Sequence, residues 1–140
     1  MALMKLAKGD MRKVVNILQA TSMAFPVVDE HAVYMCTGNP LPEDLRQILE
    51  WLLNSSFDDA LNDIQAMKTA KGIALQDILH DLISYVSGLD LPNHVRIYLF
   101  EKLSDLEYRL ASGTNERMQL AGLVGVFAVV REMSVKPGAV

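Results

Sequence analysis

The strongest constraint on the fold of this chain is the regular apolar spacing that begins at Pro42. Five successive segments place leucine, isoleucine, valine or phenylalanine at intervals of three and four residues, as on one face of an α-helix. Pro42 and Pro92 suit helix beginnings, and Gly72, Gly88 and Gly113 suit helix ends. No stretch shows the alternation typical of β-strands. The chain is therefore predicted to be all-α, with an antiparallel bundle of five helices after Pro42.

The last of these five segments is unusual, because its apolar residues point to all sides of the helix. Residues 120–130 contain no charged side chain, whereas a surface helix normally keeps a polar face. This helix is predicted either to lie at the centre of the bundle or to be covered by another protein chain. Under the second interpretation the interface residues are Leu120, Leu123, Val124, Val126, Phe127 and Val130.

The region before the bundle has a different organisation. Turn-forming residues follow one another in Thr37-Gly38-Asn39-Pro40, and this linker predicts one domain over residues 1–38 and a second over residues 39–140. Residues 1–7 look like the last two turns of a helix, with too few apolar residues to bury a face. This pattern indicates a chain cut from a longer one. An ordinary short first helix is the alternative.

Arg12 is the candidate binding residue of the first region. Gly9 suits the end of one helix and Asp10 the cap of the next, which places Arg12 in a first helical turn. Free N–H groups and the helix dipole favour an anion there, and a guanidinium suits a phosphate. A solvated arginine at a helix start is the alternative. The residues predicted to face a core are Met11, Val14, Val15 and Leu18, with Arg12, Asn16 and Gln19 on another face.

Charge and composition limit the classes of function. The chain carries a formal charge of −4, but residues 1–20 hold four basic side chains against Asp10. The acidic remainder is a poor electrostatic match for nucleic acid. Cys36 is the single cysteine, so no internal disulfide can form. The longest apolar run, Leu120 to Val130, would span roughly 16 Å as a helix, about half a bilayer core. The sequence thus predicts a soluble intracellular protein with no membrane association.

The sequence contains no recognisable motif of catalysis or metal binding. The three histidines have no ligand-like spacing with Cys36 or with one another, which predicts no metal site. No nucleophile motif and no G-x-x-x-x-G-K-[ST] phosphate loop occurs, which predicts no catalytic residue. A DNA-reading helix-turn-helix is one further interpretation, with Arg12, Lys13, Asn16 and Gln19 on its second helix. The acidic remainder of the chain argues against it.

Several segments together resemble one known family. Gly9-Asp10-Met11-Arg12 with Asn16-Ile17-Leu18-Gln19 resembles the sensor-2 helix in the lid of clamp-loader AAA+ ATPases. The segment from Val33 to Pro40 resembles the join between lid and collar in small subunits of eukaryotic replication factor C. Trp51-Leu52-Leu53-Asn54, residues 71–78 and residues 105–110 resemble the same family. The resemblance covers nearly the whole chain and implies the C-terminal part of such a subunit: residues 1–38 from the lid, then the collar.

The resemblance also implies a function. Subunits of this family form a five-membered ring in the nucleus that uses ATP to open the sliding clamp and place it on primer–template DNA. Arg12 would reach the ATP phosphates, and the collar would bind the other replication factor C subunits. The phosphate loop, the Mg²⁺-binding acids and the arginine finger are missing. The resemblance therefore implies no ATP or Mg²⁺ cofactor in this chain by itself, and no enzyme. A free-standing helical adaptor that binds one partner through Leu120–Val130 is the alternative.

Overall fold

A computed structural model describes residues 1–135 of the chain. Within this range the backbone forms helices and turns and contains no β-strand, which confirms the all-α prediction and the five helices after residue 41. The helices are α1 (Ala2–Ala7), α2 (Met11–Ala24), α3 (Glu30–Thr37), α4 (Pro42–Asn54), α5 (Phe57–Lys71), α6 (Leu75–Ser87), α7 (Asn93–Ala111) and α8 (Glu116–Val135).

The chain divides into two compact units, Met1–Leu41 and Pro42–Val140. This division falls three residues after the domain boundary predicted from the linker. Leu41 belongs to the first unit because its side chain packs against the cluster formed by Ala2, Val33 and Tyr34. Pro42 then opens α4, as its fixed φ angle favours at the first position of a helix.

The first unit is a small three-helix cluster. Lys8 and Gly9 adopt left-handed conformations, with φ angles of 51° and 82°, and this turn lets α2 follow α1 closely. The carboxylates of Asp10 and Asp29 accept hydrogen bonds from the first N–H groups of α2 and α3. The start of α2 therefore lies where the sequence predicts it.

The buried face of α2 differs from the predicted one. Met11, Val15 and Leu18 are 65%, 54% and 42% exposed. Ile17 packs against the core instead, and Thr21 is fully buried, with its hydroxyl donating to the Ile17 carbonyl at 2.7 Å. The prediction was wrong for those three residues because α2 carries apolar side chains on two adjacent faces, and only one of them contacts the small core.

The second unit is a bundle in which α8 is the central helix. It packs against α7, α5 and α4, while α6 packs against α7 and α4. All five helices contribute to one continuous apolar core. Its fully buried side chains include Ile48, Leu52, Ile64, Leu75, Ile78, Leu79, Leu82, Leu99, Leu103 and Leu120.

Capping side chains fix two of the helix beginnings in the bundle. The Ser56 hydroxyl accepts from the Asp59 N–H at 3.3 Å and donates to the Asp59 carboxylate at 2.7 Å. The Asn115 side-chain oxygen accepts from the N–H groups of Arg117 and Met118. Both are short polar side chains directly before the first residue of their helix. Among residues 1–135, no helix has the length and apolarity needed to cross a bilayer.

Candidate functional site

Arg12 lies in the first turn of α2 with its side chain exposed. The Asp10 carboxylate already accepts from the N–H groups of Arg12 and Lys13, at 3.0 and 3.3 Å. An anion at this end of α2 would therefore contact the guanidinium rather than these two backbone N–H groups. Asn16 and Gln19 are also exposed and follow Arg12 at helical spacing, so the polar face predicted for this helix is present.

The six α8 residues predicted as an interface lie mainly inside the bundle. Their exposed fractions are at most 4%, except that Val126 is only half-buried. Five of these side chains are buried in the core of their own chain, and Val126 packs against that core while keeping part of its surface exposed. The fold thus supports the central-helix interpretation and moves the candidate interface to a different face of α8. The five core residues are Leu120, Leu123, Val124, Phe127 and Val130.

The outer face of α8 is formed by Met118, Gly122, Gly125, Val129 and Glu132. These positions follow one another at intervals of four and three residues, opposite the core residues, as the helical period requires. Met118 is 71% exposed and Val129 is 40% exposed. The outer face is therefore mostly apolar and carries a single charge, at its C-terminal end.

Gly122 and Gly125 lie in the middle of the outer face, where no side chain projects from the α8 backbone. A Cβ atom added at Gly122 would lie 3.2 Å from Leu106 Cδ2 of α7, and one at Gly125 would lie 4.0 Å from Phe57 Cε2 of α5. Leu106 of α7 thus lies close to α8 at Gly122, whereas Phe57 of α5 lies at an ordinary contact distance from Gly125. Phe57 is 41% exposed, although its side chain is large and apolar. Because glycine has no side chain, another helix could approach the α8 backbone here.

The sequence pattern missed two charged groups that lie inside the bundle. Lys68 is 5% exposed and Asp44 is 7% exposed. Lys68 pairs with Glu116 at 3.0 Å, and Asp44 pairs with Lys71. The helical spacing does indicate that Lys68 is buried, because Lys68 follows the buried residues Ala60 and Ile64 at intervals of four on α5. Buried charges of this kind require a partner.

No metal site emerges in the described residues, since residues 1–135 contain no group of three or more candidate ligands from His, Cys, Asp or Glu. The first unit has an open, mainly apolar cavity of about 410 Å³. Its lining includes two carboxyl-bearing residues, Asp29 and Glu30, but Asp29 already caps α3. The outer face of α8 and the Arg12 face of α2 therefore remain the two candidate binding surfaces.

Comparison with known proteins assigns the family. Residues 40–126, more than half of the chain, match the family described as Replication factor C C-terminal domain. The chain therefore belongs to the replication factor C family, as its sequence segments predicted. The match covers most of the bundle, including α4, α5, α6, α7 and the part of α8 that carries Gly122 and Gly125.

Relatives from three kingdoms of eukaryotes agree with this assignment. The chain is 49% identical to replication factor C subunit 5 of Homo sapiens over 96% of its own length and 39% of the relative's. It is 46% identical to replication factor C subunit 3 of Oryza sativa, over 96% of its own length and 37% of the relative's. It is 35% identical to replication factor C subunit 3 of Schizosaccharomyces pombe, over 97% of its own length and 40% of the relative's. The residue segments that carried the resemblance indicate this same type, called subunit 5 in animals and subunit 3 in yeast. The chain spans about two fifths of the length of these relatives.

Proposed function

We propose that this chain provides the collar and part of the lid of a replication factor C small subunit. In this proposal residues 39–140 act as the collar, which holds a five-membered clamp-loader ring together by binding the other subunits. Residues 1–38 act as part of the lid. The complete ring uses ATP to place the sliding clamp on primer–template DNA, in the nucleus. This chain contributes to assembly and does not turn over ATP alone.

One observation carries the proposal: the replication factor C match extends through a bundle whose central helix keeps an apolar outer face. A helix that lies at the centre of a bundle usually has its polar residues on whatever side remains exposed. The outer face of α8 instead has Met118, two glycines and Val129 before its first charge at Glu132. Such a surface suits a helix of a related subunit, which would cover the apolar groups and approach closely at the glycines.

Arg12 has the second role in the proposal, as the sensor-2 residue of the complete subunit. Its side chain is exposed and its guanidinium makes no ion pair within residues 1–135, so it is free to meet a phosphate that another part of the subunit holds. A planar guanidinium binds two phosphate oxygens at once, which fixes the orientation of the ligand.

Substitution of Arg12 by alanine tests this role in the subunit with its upstream core restored. We expect nucleotide-dependent clamp loading to fall, because the phosphate loses a charged partner, while the ring still assembles. Loading is measured by retention of the clamp on primed DNA. Lys13→Ala is the matched control, since Lys13 is an exposed cation one position away on a different face of α2. Unchanged loading in Arg12→Ala would remove the sensor-2 role.

The assembly role is tested by co-purification of the 140-residue chain with the other replication factor C subunits. We expect retention of those subunits and no retention of DNA at physiological salt. A free-standing adaptor would leave the replication factor C subunits unbound. A DNA reader would bind a preferred sequence, and that preference would disappear in Arg12→Ala or Asn16→Ala. Either result, or ATP turnover by the purified chain, would contradict the proposal.

A further inference from the structure

We infer that Glu116 is a positioning residue for the outer face of α8, because it caps α6 from a different helix and joins the start of α8 to the α5–α6 connection. The part of this inference that concerns assembly rests on the proposed function. The part that concerns the cap stands on the contacts of the bundle alone.

The start of α6 has no cap of its own. Ala74 occupies the N-cap position and has no side-chain acceptor. The first helical residue, Leu75, is fully buried, so solvent does not replace the missing acceptor at its N–H group. Glu116 lies 41 residues further along the chain, and its Oε1 atom accepts this hydrogen bond at 2.7 Å. Glu116 thus performs for α6 the function that Asp10 performs for α2.

The second carboxylate oxygen of Glu116 meets the end of α5. Its Oε2 atom lies 3.0 Å from the Nζ atom of Lys68, whose side chain is 5% exposed. The Lys68 carbonyl also accepts from the N–H groups of Gly72 and Ile73, so Lys68 belongs to the turn that ends α5. A single carboxylate therefore contacts the last turn of α5 and the first turn of α6 while its own backbone begins α8.

Both contacts favour the charged form of the carboxylate. Partial burial raises the pKa of Glu116, but the Leu75 hydrogen bond, the Lys68 hydrogen bond and the Lys68 charge together lower it below its ordinary value. The N-terminal end of the α6 dipole acts in the same direction. At neutral pH the bond to Leu75 is therefore made by a full negative charge, which strengthens it relative to a neutral acceptor.

The position of Glu116 connects this cap to the proposed partner surface. Met118 begins the outer face of α8 only two residues later. The local cap at Asn115 holds the N–H groups of Arg117 and Met118, but it does not attach α8 to another helix. In the first turn of α8, Glu116 provides the polar link to α5 and α6. Its loss should therefore loosen this end of the outer face more than the end near Val129.

Hydrogen exchange on the 140-residue chain tests the cap. We expect Glu116→Ala to speed exchange at Leu75 and the next amides of α6 by about tenfold or more, because a buried N–H loses its acceptor. Exchange in the middle of α7, around Leu103, should change much less. Glu116→Gln retains an acceptor oxygen and should give a smaller local effect. The matched control is Glu101→Gln, which removes the charge of an exposed Glu–Lys pair on α7.

Rescue distinguishes this role from a general contribution to packing. Glu116→Gln leaves the buried Lys68 ammonium without its counter-charge, and Lys68→Met removes that ammonium. We therefore expect Lys68→Met to restore much of the protection that Glu116→Gln removes. Unchanged exchange at Leu75 in Glu116→Ala would overturn the inference. The inference would also be overturned if Glu116→Ala increased the exchange rate equally throughout the bundle. The same holds if Lys68→Met restored no protection in the double variant with Glu116→Gln.

Assembly measurements separate this inference from the proposed function. We expect Glu116→Gln to weaken binding to the other subunits severalfold, and the Lys68→Met double variant to recover binding along with protection. If local exchange responds but binding does not, the assembly part of the inference is overturned and the cap is retained. The proposed function is tested independently, by substitution at Val129, which does not contact this cap.

Discussion

Replacing Phe127 by alanine is expected to lower the free energy of unfolding of the bundle by about 3–5 kcal/mol. Phe127 is 2% exposed and belongs to the continuous core around α8. The substitution removes an entire ring from that core and leaves a cavity that rigid neighbouring helices fill only in part. Since small domains are stable by only about 5–15 kcal/mol, this loss would leave the bundle close to unfolding at physiological temperature.

The measurement is urea-induced unfolding of the 140-residue chain, followed by helical circular dichroism. Val129→Ala is the matched control on the same helix, because Val129 is 40% exposed on the outer face. It should cost less than about 1 kcal/mol. A similar small loss for Phe127→Ala would contradict the placement of Phe127 in the core and return it to the candidate interface predicted from the sequence.

The helix beginnings could be predicted because their signals are local. Asp10, Asp29, Ser56 and Asn115 each accept a hydrogen bond from an N–H group two or three residues further along the chain. Short polar side chains at such positions satisfy donors that the helix itself leaves free. No knowledge of tertiary packing is needed to recognise them.

The orientation of α8 could not be predicted, since its apolar pattern continues around the whole helix. Phe127 and Val129 are two residues apart and both apolar, yet one is buried and the other exposed. The same ambiguity occurs on α2, where Leu18 is exposed while Ile17 packs against the core. Periodicity identifies an inner face only where a polar face opposes it. For these two helices the contacts of neighbouring helices decide which side is buried.

The contacts of Glu116 depend on tertiary structure entirely. Its sequence position, at the beginning of an acidic first helical turn, predicts only a favourable interaction with the dipole of α8 itself. The structure adds a hydrogen bond to Leu75 and an ion pair with Lys68, and both partners lie more than 40 residues away. The unusual features that point to this contact are a helix start at Ala74 with no cap of its own and a lysine on a buried face.

Placing a charge on the outer face of α8 is expected to have the largest effect on assembly. Val129→Asp should weaken binding to the other replication factor C subunits by about a hundredfold or more. An unpaired carboxylate enclosed by a partner costs several kcal/mol, and each 1.4 kcal/mol is a factor of ten in affinity. The fold should persist, because Val129 is 40% exposed in this chain and an exposed aspartate remains solvated. Binding is measured by titration with the purified partner subunits, and helical content by circular dichroism.

The control for this variant is Tyr85→Asp, which introduces the same negative charge at a side chain of similar exposure. Tyr85 is 43% exposed and lies on α6, which is packed against α7 and α4 rather than beside the outer face. The Tyr85→Asp variant should bind the other subunits with an affinity within about twofold of that of the unmodified chain, as expected for a surface substitution outside an interface. If Val129→Asp binds as Tyr85→Asp does, another surface of the bundle joins the subunits. If both variants lose binding equally, α6 also faces a partner, and an interface confined to α8 is excluded.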